Sequence, residues 1–249
     1  MDIVDNSTTP VNPLSIEEEK KVANSKKDEQ IYYLKFSFTI TYVLLLTTAT
    51  ITLIEALRCK IPQVRHIFNL ETCISIVAGY FYGIFLAQIN KYKSEGKEID
   101  WADITKTRYI DWSITTPMML LTLCLVLANH SNVKIHFLSF LGIVILNYIM
   151  LYIGFLGEIN YMSRLSADIL GFIVFFAMFG FIYYSYVYPK FSKENLVLYL
   201  IYFIIWGLYG IVYMFDEVTK NTIINILDLT AKCLVGIGLW VYYTKIIQR

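Results

Sequence analysis

Two charged residues, Asp228 and Lys232, stand four positions apart in the middle of the last apolar stretch of this chain. In a helix this spacing places both side chains on one face, about one turn apart. An ionisable residue inside a membrane span costs about 2.5–3.5 kcal/mol on insertion scales and is a functional hypothesis by default. A lysine taken out of water loses its proton more easily, and a neutral amine can form a Schiff base with an aldehyde. The pair therefore indicates an amine that is reactive toward an aldehyde.

The third apolar stretch carries a second pair of charges, Arg108 and Asp111. A protonated Schiff base needs a counter-ion, which Asp111 and Asp228 could both supply, and Arg108 would balance the two carboxylates. The alternative is a buried salt-bridge cluster that only fixes how the helices pack. Because isolated buried ion pairs are poor stabilisers, the reactive amine is the favoured interpretation.

An aromatic stripe could form one wall of a pocket beside these charges. Trp206, Tyr209 and Tyr213 follow at positions i, i+3 and i+7 of the sixth stretch, and so share one helix face. Taken alone, such a stripe is more often ordinary core. Next to a lysine and two aspartates, and together with Trp112 of the third stretch, it favours a pocket for a bound polyene.

The elements that must position these residues are apolar helices. Of the 249 residues, 57% are hydrophobic and 16% are charged, against about 25% charged in an ordinary soluble domain. This composition excludes a disordered chain and disfavours a soluble enzyme. The net charge of +1 does not indicate the strongly basic surface that binding to nucleic acid requires.

Seven apolar stretches follow one another along the chain, separated by polar connectors of which only the second, residues 90–103, is long. Each has about 20 residues or a little more, enough to cross about 30 Å of hydrocarbon. They cover residues 32–57, 67–89, 104–128, 135–157, 165–188, 195–215 and 221–244. We therefore expect an all-α bundle of seven transmembrane helices in a lipid bilayer, an integral multi-pass membrane protein and not an enzyme.

The polar N-terminal segment, residues 1–30, is predicted to be a mobile or partly helical tail that precedes the helical domain at 31–249. It lacks the apolar core of a signal peptide. Asn6 begins a glycosylation sequon, which is a weak signal by itself. The count of basic residues in the connectors does not decide the orientation in the membrane.

The cysteines show no spacing typical of a metal site or a disulfide framework. We predict that all four fill space in the apolar interior, as free cysteines often do. They are Cys59, Cys73, Cys124 and Cys233.

The motifs in three of the stretches resemble those of the microbial (type 1) rhodopsins. They are Arg108-Tyr109-x-Asp111-Trp112-x-x-Thr115-Thr116-Pro117, Trp206-x-x-Tyr209 and Asp228-x-x-x-Lys232. The resemblance covers the whole seven-helix region. The low charge content and the many Tyr and Asn residues are also similar to the rhodopsins of giant viruses. It implies all-trans retinal held as a Schiff base on Lys232, an extracellular N-terminus and a cytoplasmic C-terminus. Many members are trimers or pentamers, so the resemblance also implies a homo-oligomer.

The resemblance further implies roles for individual residues. Asp111 would be the primary proton acceptor, Asp228 the second counter-ion and Arg108 the arginine on their extracellular side. Polar partners of the counter-ions would be Tyr82, Tyr209 and Thr115. The polyene would be lined by Trp112, Met119, Met150, Gly154, Phe175, Trp206 and Tyr213, with Thr116 facing Asn147 between the third and fourth helices.

The sequence departs from the family pattern at two positions. Gly210 stands where many members have a proline, and Tyr213 stands where a tryptophan is common. The first change would alter how the sixth helix bends. Met119 occupies the colour-tuning position, where an apolar residue accompanies green absorption in similar proteins.

The distal residue of the third stretch separates the possible activities. Asp111, Thr115 and Thr122 are spaced at i, i+4 and i+11, so Thr122 lies on the same face about 16 Å from Asp111. Proton pumps commonly have a carboxylate there, and Thr122 cannot deliver a proton by itself. Glu71, eleven residues before Tyr82 on the second stretch, should reach the depth of Thr122.

A carboxyl group among apolar neighbours keeps its proton more readily, which a proton donor requires. Glu71 is therefore the candidate donor, and the alternative is that it lies in the membrane interface and is solvated. Glu55 is the other carboxylate near that end, and it is more simply explained as a solvated charge at the end of a helix. Asp216 and Glu217, at the opposite end, could help to release protons or could belong to an ordinary charged loop.

Three functions follow from these positions. The first is a light-driven outward proton pump in which Glu71 or water restores the proton. The second is a light-gated cation channel with Glu55 and Glu71 at its gate. The third is a sensory photoreceptor, and the absence of a carboxylate at the distal position of Thr122 supports it. Asp111 with Thr115 disfavours a chloride pump, and the pattern typical of a sodium pump is absent. The pump is the favoured prediction.

Overall fold

The computed structural model describes residues 13–247, and every regular element in this range is a helix. The helices are α1 (Pro13–Arg58), α2 (Pro62–Ser94), α3 (Trp101–Ser131), α4 (Phe137–Glu158), α5 (Arg164–Ile182), α6 (Lys193–Tyr213), α7 (Glu217–Asp228) and α8 (Val235–Ile247). A π-helical turn and a 3₁₀ turn extend α5 to Lys190, and a π-helical segment joins α7 to α8. Residues 1–12, with the predicted sequon at Asn6, lie outside the described residues.

Seven segments among the described residues are long and apolar enough to cross a membrane, which confirms the predicted bundle. Most of their ends extend further than predicted, whereas α4 begins at Phe137 instead of residue 135 and α6 ends at Tyr213 instead of residue 215. The first helix begins at Pro13 instead of residue 32, so part of the predicted tail is helical, and α2 and α3 shorten the long connector to residues 95–100. The apolar stretches mark only the part of each helix that meets hydrocarbon, whereas the backbone hydrogen bonds continue through polar residues at the ends.

Consecutive spans run in opposite directions, because each connector between them is short. The α2–α3, α4–α5 and α6–α7 connectors therefore lie at one end of the bundle, called here the Lys220 end. The other three connectors and the end of α8 lie at the opposite end, called the His130 end.

Polar side chains begin several of these helices. Asp100 accepts hydrogen bonds from the main-chain N–H groups of Ala102 and Asp103 at the start of α3, at 3.0 and 3.3 Å. The Ser192 hydroxyl accepts from the Asn195 N–H at the start of α6. Such caps satisfy N–H groups that have no partner within the helix, and they fix where it starts.

The last span is irregular near its middle. α7 ends at Asp228, and the chain makes a wider π-helical segment from Leu229 to Leu234 before α8 begins. Lys232 lies within this segment and is buried. Wider turns of this kind occur often at functional sites, since they re-aim side chains relative to a regular helix.

The prediction for the cysteines is wrong at one position. Cys59, Cys124 and Cys233 are buried, but Cys73 is exposed on the outward face of α2. A membrane helix is apolar on its lipid-facing side as well as on its buried side, so the apolar context of Cys73 did not distinguish the two.

Candidate functional site

The centre of the site is the buried amine of Lys232, which lies between two carboxylates. Its Nζ is 3.0 Å from Asp111 Oδ2 and 3.3 Å from Asp228 Oδ2. The Lys232 side chain is 1% exposed, and the two aspartates are no more exposed than this. α3 thus supplies one carboxylate and α7 the other, as the spacing of these residues predicts.

The two carboxylates have different hydrogen-bond partners. The Tyr209 hydroxyl donates to Asp228 Oδ1 at 2.6 Å, and the Tyr82 hydroxyl donates to Asp228 Oδ2 at 2.9 Å. Asp111 receives its hydrogen bond from Lys232, and its Oδ1 has no partner among the described residues. Hydrogen bonds to an ionised group stabilise it by about 1.5–3 kcal/mol each. The negative charge is therefore better stabilised on Asp228 than on Asp111.

Arg108 lies beside the carboxylates, toward the Lys220 end. Its Nη1 is 3.7 Å from Asp228 Oδ2, and its Nη2 donates to Asn221 Oδ1 and Asn225 Oδ1 at 3.0 Å each. The guanidinium group also lies 4.8 Å from the centre of the Phe85 ring. Arg108 therefore adds the balancing positive charge on one side of the site.

Thr115 contacts this centre in a different way than predicted. Its hydroxyl donates to the main-chain oxygen of Asp111 at 2.9 Å, one turn earlier in α3. A threonine in a helix commonly makes this bond to the carbonyl four residues before it. Thr115 is buried next to the site, and its hydroxyl donates to the Asp111 main chain instead of to the Asp111 carboxylate.

An apolar cavity runs between the helices to Lys232. Its lining includes the seven residues predicted to surround a polyene, together with Thr116, Tyr209 and Lys232; the seven are Trp112, Met119, Met150, Gly154, Phe175, Trp206 and Tyr213. The predicted pairing of α3 with α4 is also present, since Asn147 Nδ2 donates to the Thr116 hydroxyl at 2.9 Å.

Two glycines give the cavity its width. A Cβ atom at Gly210 would lie 2.5 Å from the Phe172 ring, and one at Gly154 would lie 2.7 Å from the Tyr109 hydroxyl oxygen. Any larger residue at these positions would push an aromatic ring into the cavity or displace a helix. Gly210, the departure from the common proline, therefore makes room for Phe172 beside α6.

These residues fit retinal. Most residues that line the cavity are apolar or aromatic, and an amine that can bind an aldehyde lies in its wall. Asp111 Oδ1, buried and without a partner among the described residues, adds negative charge beside that amine. Tyr213 donates to the Gly154 main-chain oxygen at 2.9 Å, so it joins α6 to α4 where many relatives have tryptophan.

Glu71 lies on the other side of Lys232, toward the His130 end. Its side chain is buried, with the residue 2% exposed, so the interpretation that it is solvated in the membrane interface is wrong. A Cβ atom at Gly236, one turn after Lys232, would lie 2.8 Å from Glu71 Oε2. The carboxyl group therefore rests against the backbone of α8.

Three hydroxyl groups lie on the same side of α2 as Glu71 or next to it. Thr122 lies next to its carboxyl group, although the two do not meet the geometry of a formed hydrogen bond. The hydroxyls of Thr48, Ser75 and Thr122 are buried and have no hydrogen-bond partner among the described residues. Unpaired polar groups of this kind are the usual setting for ordered water.

The remaining candidate carboxylates lie near the ends of the spans. Glu55 is 3.6 Å from Arg58 near the end of α1, as expected for an end charge. Asp216 precedes α7 and accepts a hydrogen bond from the Thr219 N–H at 3.1 Å. Hydrogen bonds from the side chain and main chain of Thr219 hold the pKa of the Asp216 carboxyl below its usual range. Asp216 therefore serves as a helix cap in its ionised form.

Sequence analysis missed two asparagines that connect the site to the Lys220 end. Asn225 is buried, and besides its bond to Arg108 its Oδ1 lies 3.1 Å from the hydroxyl of Tyr82, whose one proton is donated to Asp228. Asn221 lies one turn earlier and also binds Arg108. A signal for them exists in the sequence, since residues 221, 225, 228 and 232 recur at helical spacing on one face.

A protein family and several solved structures are similar to this chain. The sequence profile of the bacteriorhodopsin-like protein family matches residues 33–246. None of the curated proteins is significantly similar to the chain in sequence. The crystal structure of viral rhodopsin OLPVRII has 41% sequence identity and a TM-score of 0.78, over 86% of this chain and 98% of that one.

More distant structures share the fold. The proton pumping rhodopsin AR2 from the marine alga Acetabularia acetabulum is 18% identical with a TM-score of 0.70, over 87% of this chain and 97% of that chain. Xanthorhodopsin, a light-driven ion pump with dual chromophore, is 17% identical with a TM-score of 0.68, over 85% of this chain and 92% of that chain. The arrangement of the seven spans is therefore common to this chain and to these proteins.

Proposed function

Because this chain belongs to the bacteriorhodopsin-like protein family, we propose that it is a light-driven pump that moves protons outward across the membrane. It is an integral multi-pass membrane protein, and it binds retinal, the cofactor of the family. We assign the attachment to Lys232, the buried amine in the cavity wall. Retinal supplies the absorption of light and a change of shape on illumination.

The observation that carries the proposal is the difference between the two carboxylates beside Lys232. Asp228 is held ionised by two tyrosine hydroxyls, whereas Asp111 has an oxygen without a partner among the described residues. A proton that leaves the Lys232 nitrogen therefore moves to Asp111, which lies 3.0 Å away. Asp228 keeps its negative charge beside the amine throughout.

The proton is restored from the opposite side. Glu71 is buried on the His130 side of Lys232, with the hydroxyls of Thr48, Ser75 and Thr122 near it. Ordered water among these groups would connect Glu71 to the Lys232 nitrogen. An acceptor on one side of the amine and a donor on the other give transport a direction, which a passive channel does not need.

The direction in the cell depends on orientation. We assign the Lys220 end to the extracellular side and the His130 end to the cytoplasmic side, as the family resemblance implies. Glu71 would then take protons from the cytoplasm, and Arg108 would lie on the path to the outside. A fluorescence or protease assay of a tag placed after residue 249 in intact cells decides this assignment.

The decisive test is a measurement of pH in an unbuffered suspension of cells that express the protein with retinal. We expect light to acidify the medium and a protonophore to abolish the change. Lys232→Ala is the control without pigment and should give no signal. Currents that reverse sign with membrane voltage would indicate a channel instead, and a pigment that gives neither signal would indicate a sensor.

A further inference from the structure

Four charged side chains form a compact cluster at the Lys220 end, apart from the charges around Lys232. Lys220 Nζ lies 2.9 Å from both carboxylate oxygens of Glu158 and 2.9 Å from Glu217 Oε1. The Lys220 and Glu158 side chains are only 3% and 6% exposed. This ion pair joins the last residue of α4 to the first turn of α7.

Arg164 completes the cluster from α5. Its Nη2 donates to Glu158 Oε2 at 3.0 Å, and the same nitrogen binds Glu217 Oε1. Two carboxylates and two cations therefore balance in charge, and three helices contribute to the group. Each carboxylate accepts bonds from both cations, and Glu217 Oε2 has no partner among the described residues.

The cluster lies at the boundary between two spaces. The inner one is the cavity that runs to Lys232, and both Glu158 and Lys220 line it. The outer one is a cleft at the end of the bundle, lined by Glu158, Arg164 and Glu217 among others. Glu158 thus faces both spaces, and Asn221, next to Lys220 in the chain, binds Arg108 on the inner side.

Stability alone is a weak reason for such an arrangement. Buried ion pairs are often no more stabilising than apolar residues of similar size, because removing charges from water is costly. Breaking one pair, in contrast, leaves an uncompensated buried charge and strongly favours opening. A group that is closed when paired and unstable when separated has the properties of a gate.

We propose that the Lys220 cluster, Glu158, Arg164, Glu217 and Lys220, is the gate that closes the cavity toward the Lys220 end in the dark. The four side chains seal the path between the Arg108 side of the site and the outer cleft. Water or an ion that crosses between the two spaces at the Lys220–Glu158 contact would have to separate these two side chains. This inference rests on the proposed function only for the direction of flow, because closure in the dark is a property of the resting protein.

The test measures access to a cysteine placed just inside the gate. Ile224 is buried, lines the inner cavity and follows Lys220 by one turn, so Ile224→Cys reports on the inner side. In full-length protein kept in the dark, a water-soluble methanethiosulfonate reagent should modify this cysteine slowly. Adding Lys220→Met or Glu158→Gln should raise the rate roughly tenfold or more, since the cluster then carries one uncompensated charge and loses the Lys220–Glu158 contact.

A matched control is available at the same end of the bundle. Lys97 and Glu95 form an exposed ion pair at 2.7 Å, so Lys97→Met combined with Ile224→Cys should leave the rate unchanged. The chain without Ile224→Cys gives the background from its own cysteines. Glu217→Gln, at a more exposed member of the cluster, serves where the buried variants do not fold.

A clear result would overturn the gate. If Ile224→Cys reacts as fast with the cluster intact as with Lys220→Met, the cluster does not seal the cavity. If the variants lower only the thermal midpoint and leave the labelling rate unchanged, the cluster is a structural brace. Both measurements are made without light, so a failure of the pump assay does not affect them.

Discussion

Asp111 Oδ2 accepts a hydrogen bond from Lys232 Nζ at 3.0 Å, whereas the other oxygen of the same carboxylate, Oδ1, has no partner among the described residues. Asp228 lies 3.3 Å from the same amine, and it accepts hydrogen bonds from the hydroxyls of Tyr82 and Tyr209. The asymmetry divides the work between two residues of the same type: one is free to change its protonation and the other holds a constant charge.

The first prediction follows from this asymmetry. Asp111→Asn removes the acceptor beside the Lys232 nitrogen, and we expect light-driven acidification to fall by on the order of 10²-fold, the usual contribution of a positioned acid or base. Measurement of the medium pH at equal pigment content checks this. Ser113→Ala, a change at a partly buried position on the same helix, is the control. Full pumping by Asp111→Asn would contradict the assigned role.

The second prediction concerns the donor. Glu71→Gln keeps the size of the side chain but cannot give up a proton, so the return of the proton to the Lys232 nitrogen should slow by on the order of 10²-fold. Transient absorption after a flash measures this step. Glu55→Gln, near the end of α1, should leave it unchanged, because Glu55 is paired with Arg58. An unaltered rate in Glu71→Gln would reject this residue as donor.

The central part of the site could be predicted from the sequence, because it depends on spacing within single helices. Asp228 and Lys232 share a face at four residues apart, and Arg108 and Asp111 share one at three. Charged residues are rare in apolar stretches, so these four residues could be recognised as candidates for the site. The apolar length of each span fixed the number of helices in the same way.

The rest depends on where distant helices meet. Lys220 and Glu158 are 62 residues apart, and their contact requires the end of α4 to reach the start of α7. The π-helical segment Leu229–Leu234, which carries Lys232, has no composition that distinguishes it from a regular helix. Glu71 could be placed at the right depth, but whether its face was buried depended on the packing of α8 around Gly236.

The third prediction tests the width of the cavity. Gly210→Ala would place a Cβ atom 2.5 Å from the Phe172 ring, so we expect a loss of about 1–3 kcal/mol in stability and a weaker uptake of retinal. Absorbance during titration with retinal and the thermal midpoint measure the two effects. Gly180→Ala is the matched control, since a Cβ atom there has nothing within 4 Å. Equal behaviour of the two variants would show that Gly210 does not set the width.

The fourth prediction concerns the start of α7. Asp216→Ala removes the cap that accepts from the Thr219 N–H and should cost about 1 kcal/mol of stability, whereas Asp216→Asn retains an acceptor and should cost less. The thermal midpoint at neutral pH measures both.

The same carboxyl predicts a dependence on pH. Its pKa is lower in the folded protein than in the unfolded chain, so the charged form stabilises the fold above the ordinary aspartate pKa of about 4, and this contribution is lost as the pH falls through the folded value. The difference in thermal midpoint between the native chain and Asp216→Asn should therefore shrink below about pH 4. A difference that stays constant down to pH 2 would show that the charge at Asp216 contributes nothing, and that the hydrogen bond alone caps the helix.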